Sequence, residues 1–334
     1  MKTESVLLQT LCVPCACRCR YCLLSWDGKP VGLPWERSVD FARSFKRWMD
    51  ENRPELRFSF AFGYAMEHPR LRQALAVLRE LGSPQAAFFQ CDGMRMRSPE
   101  ACGELARLLA EEGVERLNFT VYGLPAYHDA FAGRRGDFEL LLRNMRAARE
   151  TGLETSAGIP LTAESAPQAD ALLELLRREA APDKLFLFVP HEEGRGLALA
   201  PIRFSEADLE ALSPDTARLL NRSLFRPERE WLAEGAFVPE TRRSLLLSLR
   251  PDNIERWEAL SPGEILAETE ALDEAYYAAF PTLPELAERY GDREGRRFYR
   301  QRDLFAHYRR LFAAEQGLSV YDVTDERQSG SRRE

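Results

Sequence analysis

The sequence predicts an α/β chain: a partial (β/α)6, TIM-like barrel over residues 1–200, a mostly helical extension over 201–323, and a tail over 324–334 expected to be disordered. Three observations predict it. Six short apolar runs recur in the first 200 residues, and segments of helical spacing separate them. Such alternation builds parallel βαβ units whose crossovers are right-handed, so repetition curls the sheet. Finally, 334 residues with 45% apolar and 30% charged composition can bury a sizeable core.

Val6–Leu11 reads as the first buried strand, delivering the chain into a cysteine-rich loop. Asp27-Gly28-Lys29-Pro30 marks a turn, and Arg37–Asp50 repeats apolar residues at helical spacing. Arg57–Gly63 is the second strand and Leu71–Leu81 its helix; Ala86–Cys91 is the third, with a helix at Pro99–Glu112. Arg116–Tyr122, then Phe138–Thr151, continue the pattern, as do Glu154–Ile159 with Ala166–Glu179 and a sixth strand, Lys184–Pro190. Near residue 200 the style changes. Glu206–Leu220 is helical with Ser205 as N-cap, Ser244–Leu249 has strand character, and Pro262–Gln316 is helical with breaks at Pro281, Pro284 and Gly291.

Composition narrows the function. The net charge, 46 − 53 = −7, argues against a nucleic-acid footprint spread over the surface. No apolar run approaches the ~20 residues of a membrane span, and Met1–Glu4 leads into a strand with no signal-peptide core, so no membrane partner is expected. Five of seven cysteines fall within residues 12–22, which does not suit a disulfide framework and fits a reducing cytoplasm.

Within that stretch one C-x3-C-x2-C occurs: Cys15, Cys19 and Cys22. Three thiolates hold three corners of a cubane [4Fe–4S] cluster and leave one iron for a small molecule, whereas a structural zinc site is closed by four ligands. A zinc- or iron–sulfur-binding interaction module without turnover is the alternative from a different class.

The spacing, with aromatic Tyr21 just before the last cysteine, resembles the radical S-adenosylmethionine (SAM) superfamily. The resemblance covers about residues 5–200 and implies a [4Fe–4S] cluster whose open iron chelates SAM. One electron, from a donor such as a flavodoxin or ferredoxin, then cleaves the sulfonium, and the 5′-deoxyadenosyl radical takes hydrogen from substrate. It implies an enzyme whose class, oxidoreductase, transferase or lyase, stays open. The substrate is a ribosomal peptide or a small metabolite, the peptide favoured by acidic His191-Glu192-Glu193 and the arginine-rich last helix. The same arginines also suit a solvated helix face.

The resemblance also implies SAM contacts. Tyr21 shields the cluster edge. Gly63 and Tyr64 stand where relatives carry Gly-Gly-Glu and meet the SAM amino group through backbone carbonyls. Asn118 and Thr120 share one strand face and meet ribose or carboxylate. Gly158 and Gly194-Arg195-Gly196 flank adenine, glycine permitting close approach to a flat ring. Tyr127-His128-Asp129 matches a His-Asp pair, so His128 either meets the site or orders its loop. Ala132 replaces an expected arginine, for which Arg134 or Arg135 substitutes. His68 reads as a turn residue, and Cys12, Cys17, Cys91 and Cys102 are spare thiols with no second cluster spacing. No catalytic side chain is nominated.

Overall fold

A computed structural model describes residues 2–11, 15–21, 33–63, 65–192, 194–235, 237 and 242–318. In chain order the elements are β1 (Lys2–Leu11), α1 (Trp35–Asn52), β2 (Arg57–Gly63), α2 (Leu71–Glu80), β3 (Phe88–Gln90), α3 (Pro99–Glu111), β4 (Arg116–Thr120), α4 (Pro125–Ala132), α5 (Asp137–Glu150), β5 (Glu154–Pro160), α6 (Ala169–Glu179) and β6 (Lys184–Phe188). Beyond these lie α7 (Glu206–Glu210), α8 (Pro214–Ala217), β7 (Arg226–Pro227), α9 (Glu228–Glu234), β8 (Arg242–Leu249), α10 (Ile254–Glu258), α11 (Pro262–Ala278), α12 (Leu283–Tyr290), β9 (Phe298–Tyr299) and α13 (Gln301–Gln316).

The strands form two parallel sheets, ordered β8-β1-β2 and β3-β4-β5-β6. Side chains alternate between the two faces of a strand. One face, with Val6, Leu8, Phe58, Phe60, Phe89, Leu117, Phe119, Ala157 and Leu187, shares the main core with helical residues such as Phe45, Leu75, Leu109, Leu141 and Leu172. The opposite face is more polar, and in-register neighbours bring Gln90, Asn118 and Ser156 into one row and Thr120, Gly158 and Phe186 into the next. The two sheets part at Ser83, whose hydroxyl donates to the Phe60 carbonyl at 2.8 Å and accepts from its N–H at 3.3 Å. A side chain thus satisfies an edge of β2 that a strand ladder would otherwise fill.

The α/β reading and the partial barrel stand. The sheet continues past the sixth strand, however, because β8 pairs in parallel along β1, Val6 opposite Leu245 and Leu8 opposite Leu247. The division expected near residue 200 is therefore crossed by the sheet itself; the tail expected at 324–334 lies outside the described residues. The third strand is shorter than expected because Pro84–Ala86 form a 3₁₀ turn under the Ser83 cap. The helix expected at Glu206–Leu220 is α7 and α8, split where Ser213 caps a new turn beginning at Pro214. Ser205 does cap α7, sharing a capping box with Asp208.

The carboxyl-terminal part has its own apolar cluster, built on Trp231, Leu286, Tyr299, Leu304 and Tyr308. It joins the end of β6 through ions. Glu192, 2% exposed, receives His307 Nδ1 at 3.0 Å, Arg203 Nη1 at 3.1 Å and the Arg310 guanidinium, while buried Asp303 pairs with His191 at 3.0 Å. No helix of the described residues is long and apolar enough to cross a membrane.

Candidate functional site

Because the strands run parallel, the loops after β1, β3, β4 and β6 leave from the same end of their sheets. Three of these loops and α4 meet around the cysteines. Ala16 N–H donates to the Gly93 carbonyl at 2.9 Å, Arg18 N–H to Ala132 at 2.7 Å and Arg20 N–H to Phe131 at 3.1 Å. Arg18 folds back and donates to the carbonyls of Cys15 at 2.9 Å and Cys17 at 2.7 Å, so an irregular loop still satisfies its backbone. Around it Cys17, Tyr122, Phe131, Ala132 and Leu199 are buried together, with Cys15, Cys19 and Tyr21 half-buried against them. Leu199 belongs to the 3₁₀ segment Gly194–Ile202, which brings the loop after β6 to the cysteines.

The thiols are unequal. Cys17 N–H donates to Cys15 Sγ at 3.4 Å, and the Cys17 thiol donates to Asp137 Oδ2 at 3.5 Å. Hydrogen bonding to Cys15 and Cys19, with burial, pushes the Cys17 thiol up; the bond from Cys17, against burial and helped by Tyr122, holds Cys19 below its ordinary value. Tyr122 Oη donates to Cys19 Sγ at 3.4 Å. Tyr21 packs edge-on to Tyr122, ring centres 5.7 Å apart, and 5.6 Å from Phe131.

Behind the loop stands His128, fully buried. Its Nδ1 accepts Tyr122 N–H at 3.0 Å, so its proton sits on Nε2, 3.1 Å from Asp137 Oδ2. Arg134 pairs with Asp137 Oδ1 and donates to the Met94 carbonyl. Burial pushes Asp137 up, but His128 and Arg134 outweigh it and hold the carboxyl below the usual range. Asp129 caps α5, accepting Gly136 N–H at 2.5 Å and Phe138 N–H at 2.9 Å. His128 and Asp129 thus order the loop.

On the polar face Asp92, just after β3, accepts Thr120 N–H and the Thr120 hydroxyl, both at 2.9 Å, and Gln90 Nε2 at 2.7 Å. Burial raises its pKa despite these bonds. Ser156 donates to Asn118 Oδ1. Sequence reasoning placed Asn118 and Thr120 on one face and did not nominate Asp92.

The model of the radical SAM superfamily matches residues 12–176, which hold the cysteine loop and the strands β2 to β5. Residues 12–176 form a radical SAM domain. Solved structures with a similar course include SuiB of Streptococcus suis bound to its precursor peptide SuiA, at 13% identity and a TM-score of 0.45, over 63% of this chain and 44% of that one. Coproporphyrinogen III oxidase (HemN) of Escherichia coli matches at 16% identity and 0.43, over 75% and 63%; anSMEcpe with bound AdoMet matches at 15% and 0.44, over 70% and 62%. The chain spans roughly half to two thirds of the length of these structures. No curated protein matches the sequence.

Radical SAM proteins use a [4Fe–4S] cluster and SAM, and the residues present fit the cluster. Cys15 and Cys19 are half-buried sulfurs on one tethered loop, the Cys19 thiol is held below its ordinary pKa by its bonds from Cys17 and Tyr122, and an apolar cluster limits water around them. Cys22, the third cysteine of the motif, lies outside the described residues, as do Cys12, Tyr64 and Glu193. Among the described residues alone, no three His, Cys, Asp or Glu side chains stand as a metal site.

Gly63 closes β2, in register with Leu11 at the end of β1. Gly158 does lie against a flat ring, but the ring belongs to this chain: a Cβ there would meet Phe186 Cζ at 2.6 Å. Arg195 is the second residue of the 3₁₀ segment Gly194–Ile202, and its side chain lies outside the described residues. Both Arg134 Nη groups are already engaged, and Arg135 is exposed. His68 is a turn residue, its Nδ1 accepting Arg70 N–H at 3.1 Å. Cys91 and Cys102 are buried in the main core, with no part in the loop. Glu192 and Arg310, read as separate recognition surfaces, are partners of each other. Reasoning from sequence missed Tyr122, Asp137 and Glu67. Glu67, 3% exposed, binds Arg95 and Arg97 at 2.6 and 2.5 Å and so ties the β2 loop to the β3 loop. Tyr122 was within reach, two residues beyond Thr120 on the face already chosen.

Proposed function

We propose that this chain is a radical SAM enzyme that cleaves SAM reductively and takes a hydrogen atom from an organic substrate. The observation that supports it most is the tethered cysteine loop, seated where the loops after three other strands converge. Cys15, Cys19 and Cys22 would hold the cluster. When bound, the cluster supplies the electron that breaks the sulfonium and gives the 5′-deoxyadenosyl radical. This chain's residues bind and orient. Gly63 and the backbone at Tyr64 receive the SAM amino group, Asn118 and Thr120 face its ribose and carboxylate, and Arg195 flanks adenine, while Phe186 occupies the space against Gly158. Tyr21 shields the cluster from water.

The region after residue 200 would close the mouth and shape the substrate pocket, with a flavodoxin or ferredoxin as electron donor in the cytoplasm. The charges that favoured a ribosomal peptide are spent on each other at Glu192 and Arg310. Peptide and small metabolite therefore stand level, and the assay carries both.

The test is anaerobic reconstitution with iron and sulfide, then reduction with dithionite in the presence of SAM. The expected result is a brown, oxygen-sensitive protein that forms 5′-deoxyadenosine, and a Cys19→Ala variant that does not. Tetrahedral zinc in place of iron, or native nucleoside formation by Cys19→Ala, would overturn the reading. Mass changes in co-expressed peptides and in small-molecule extracts then separate the two substrate classes.

A further inference from the structure

We propose that Tyr122 is a positioning residue for the cluster: its hydroxyl donates a hydrogen bond to the Cys19 sulfur and raises the reduction potential of the metal that sulfur binds. The inference rests on the reading of Cys19 as a ligand. Four observations fix the phenol in place. The ring is 5% exposed and lies between His128 and Phe131, stacked on both at centroid distances of 5.1 and 4.4 Å. Its backbone N–H is held by His128 Nδ1 at 3.0 Å. His128 is held in turn by Asp137, so the ring cannot turn without breaking a buried hydrogen bond. The hydroxyl meets Cys19 Sγ at 3.4 Å.

A buried phenol needs a partner for its proton, and here a sulfur takes it. Reduction places more negative charge on the cluster and its ligating sulfurs. A hydrogen bond aimed at one of them stabilises the reduced form more than the oxidised form, which raises the potential. Tyr122 reaches the motif cysteine Cys19 from outside the loop.

The test is Tyr122→Phe, which keeps the ring and removes one oxygen. Both proteins are reconstituted, their iron and sulfide counted, and the cluster titrated without SAM by electron paramagnetic resonance. The expected result is wild-type cluster content and a three- to tenfold fall in the reduction equilibrium constant, tenfold being about 59 mV for one electron. Melting of the metal-free variant should match wild type, which a merely structural role would not combine with a shifted potential. An unchanged potential with full cluster content overturns the proposal, and so does loss of the cluster in a variant that melts normally. A Cys19→Ala protein that keeps the wild-type cluster and potential would instead overturn the ligand reading itself.

Discussion

Gly133 offers a direct measure of how firmly α4 holds the cysteine loop. It ends α4 at φ +64°, where any L-residue other than glycine is strained. A Cβ on Gly133 would also sit 2.9 Å from the Arg18 carbonyl oxygen and 3.0 Å from Arg18 Cβ. Gly152 is the matched control: its φ is +78°, and a Cβ there meets nothing within 4 Å. Alanine at Gly152 should therefore cost the left-handed term alone, about 1 kcal/mol. Alanine at Gly133 carries that same term and must also push Arg18 back, loosening the 2.7 Å bond from Arg18 N–H to Ala132. A hydrogen bond contributes ~1 kcal/mol net, so Gly133→Ala should cost about 2 kcal/mol. Urea denaturation of the two metal-free variants measures the difference, and iron content after reconstitution should fall only in Gly133→Ala. Equal stability losses together with equal iron would refute the claim that α4 positions the cysteines.

Three further outcomes are expected. Asp137→Ala leaves Arg134 and His128 without their buried carboxylate and should cost ~3 kcal/mol, because removing one partner of a buried pair strands the other; urea denaturation measures it, and a loss under 1 kcal/mol would count against Asp137 as the hub. Glu192 and Asp303 both have folded pKa values held below the usual carboxylate range, burial pushing up and His307 with Arg203 and Arg310, or His191 with Arg203 and Arg300, pulling down further. Their stabilisation is therefore complete above the unfolded values near ~4 and is lost as pH falls through the lower folded values. Denaturation midpoints between pH 7 and pH 3 should fall less steeply in Glu192→Gln than in wild type, and parallel curves would contradict this. Gly158→Ala should destabilise by about 1–3 kcal/mol through overpacking on Phe186, and Phe186→Ala added to it should recover part of the loss. Simple additivity of the two would show that Phe186 is not what excludes a side chain there.

Much of the barrel was legible because its signals are local. Helical spacing in α1 buries Val39, Ala42, Phe45 and Met49 on one stripe, and a strand such as β2 alternates burial along Arg57–Phe60. The partner of β8 was not legible. Ser244–Leu249 reads as a strand wherever it pairs, and nothing local says that it runs beside β1, separated from it by most of the chain. The split of the sheet at Ser83 was equally hidden, since a serine before Pro84 signals a turn and not the hydroxyl that replaces a ladder. α4 is only eight residues long, too short to show a period, although it carries Phe131 and Ala132 to the cysteines.

The candidate site divides the same way, and the division has a physical cause. Ligand spacing is a local pattern, so Cys15, Cys19 and Cys22 stand out in sequence. What orients them is not local: Gly93, His128, Ala132 and Asp137 lie 70 to 120 residues away and reach the loop through backbone carbonyls or buried charge. The loop cannot be self-supporting, because Arg18 covers two of its carbonyls while the N–H groups of Ala16, Arg18 and Arg20 all leave it for partners in β3, α4 and their loops. Its shape is therefore a property of the folded barrel and not of the octapeptide Cys15–Cys22. An isolated peptide of that sequence should bind iron weakly and without a defined cluster, whereas the folded domain presents at least Cys15 and Cys19 already tethered. That preorganisation is what a cluster with one open corner requires, since a flexible loop would let Cys17, only two residues from each of them, supply a fourth sulfur. In the fold the Cys17 thiol lies buried beside Cys15 and Cys19, and it also donates to Asp137, a charge brought to it by α5.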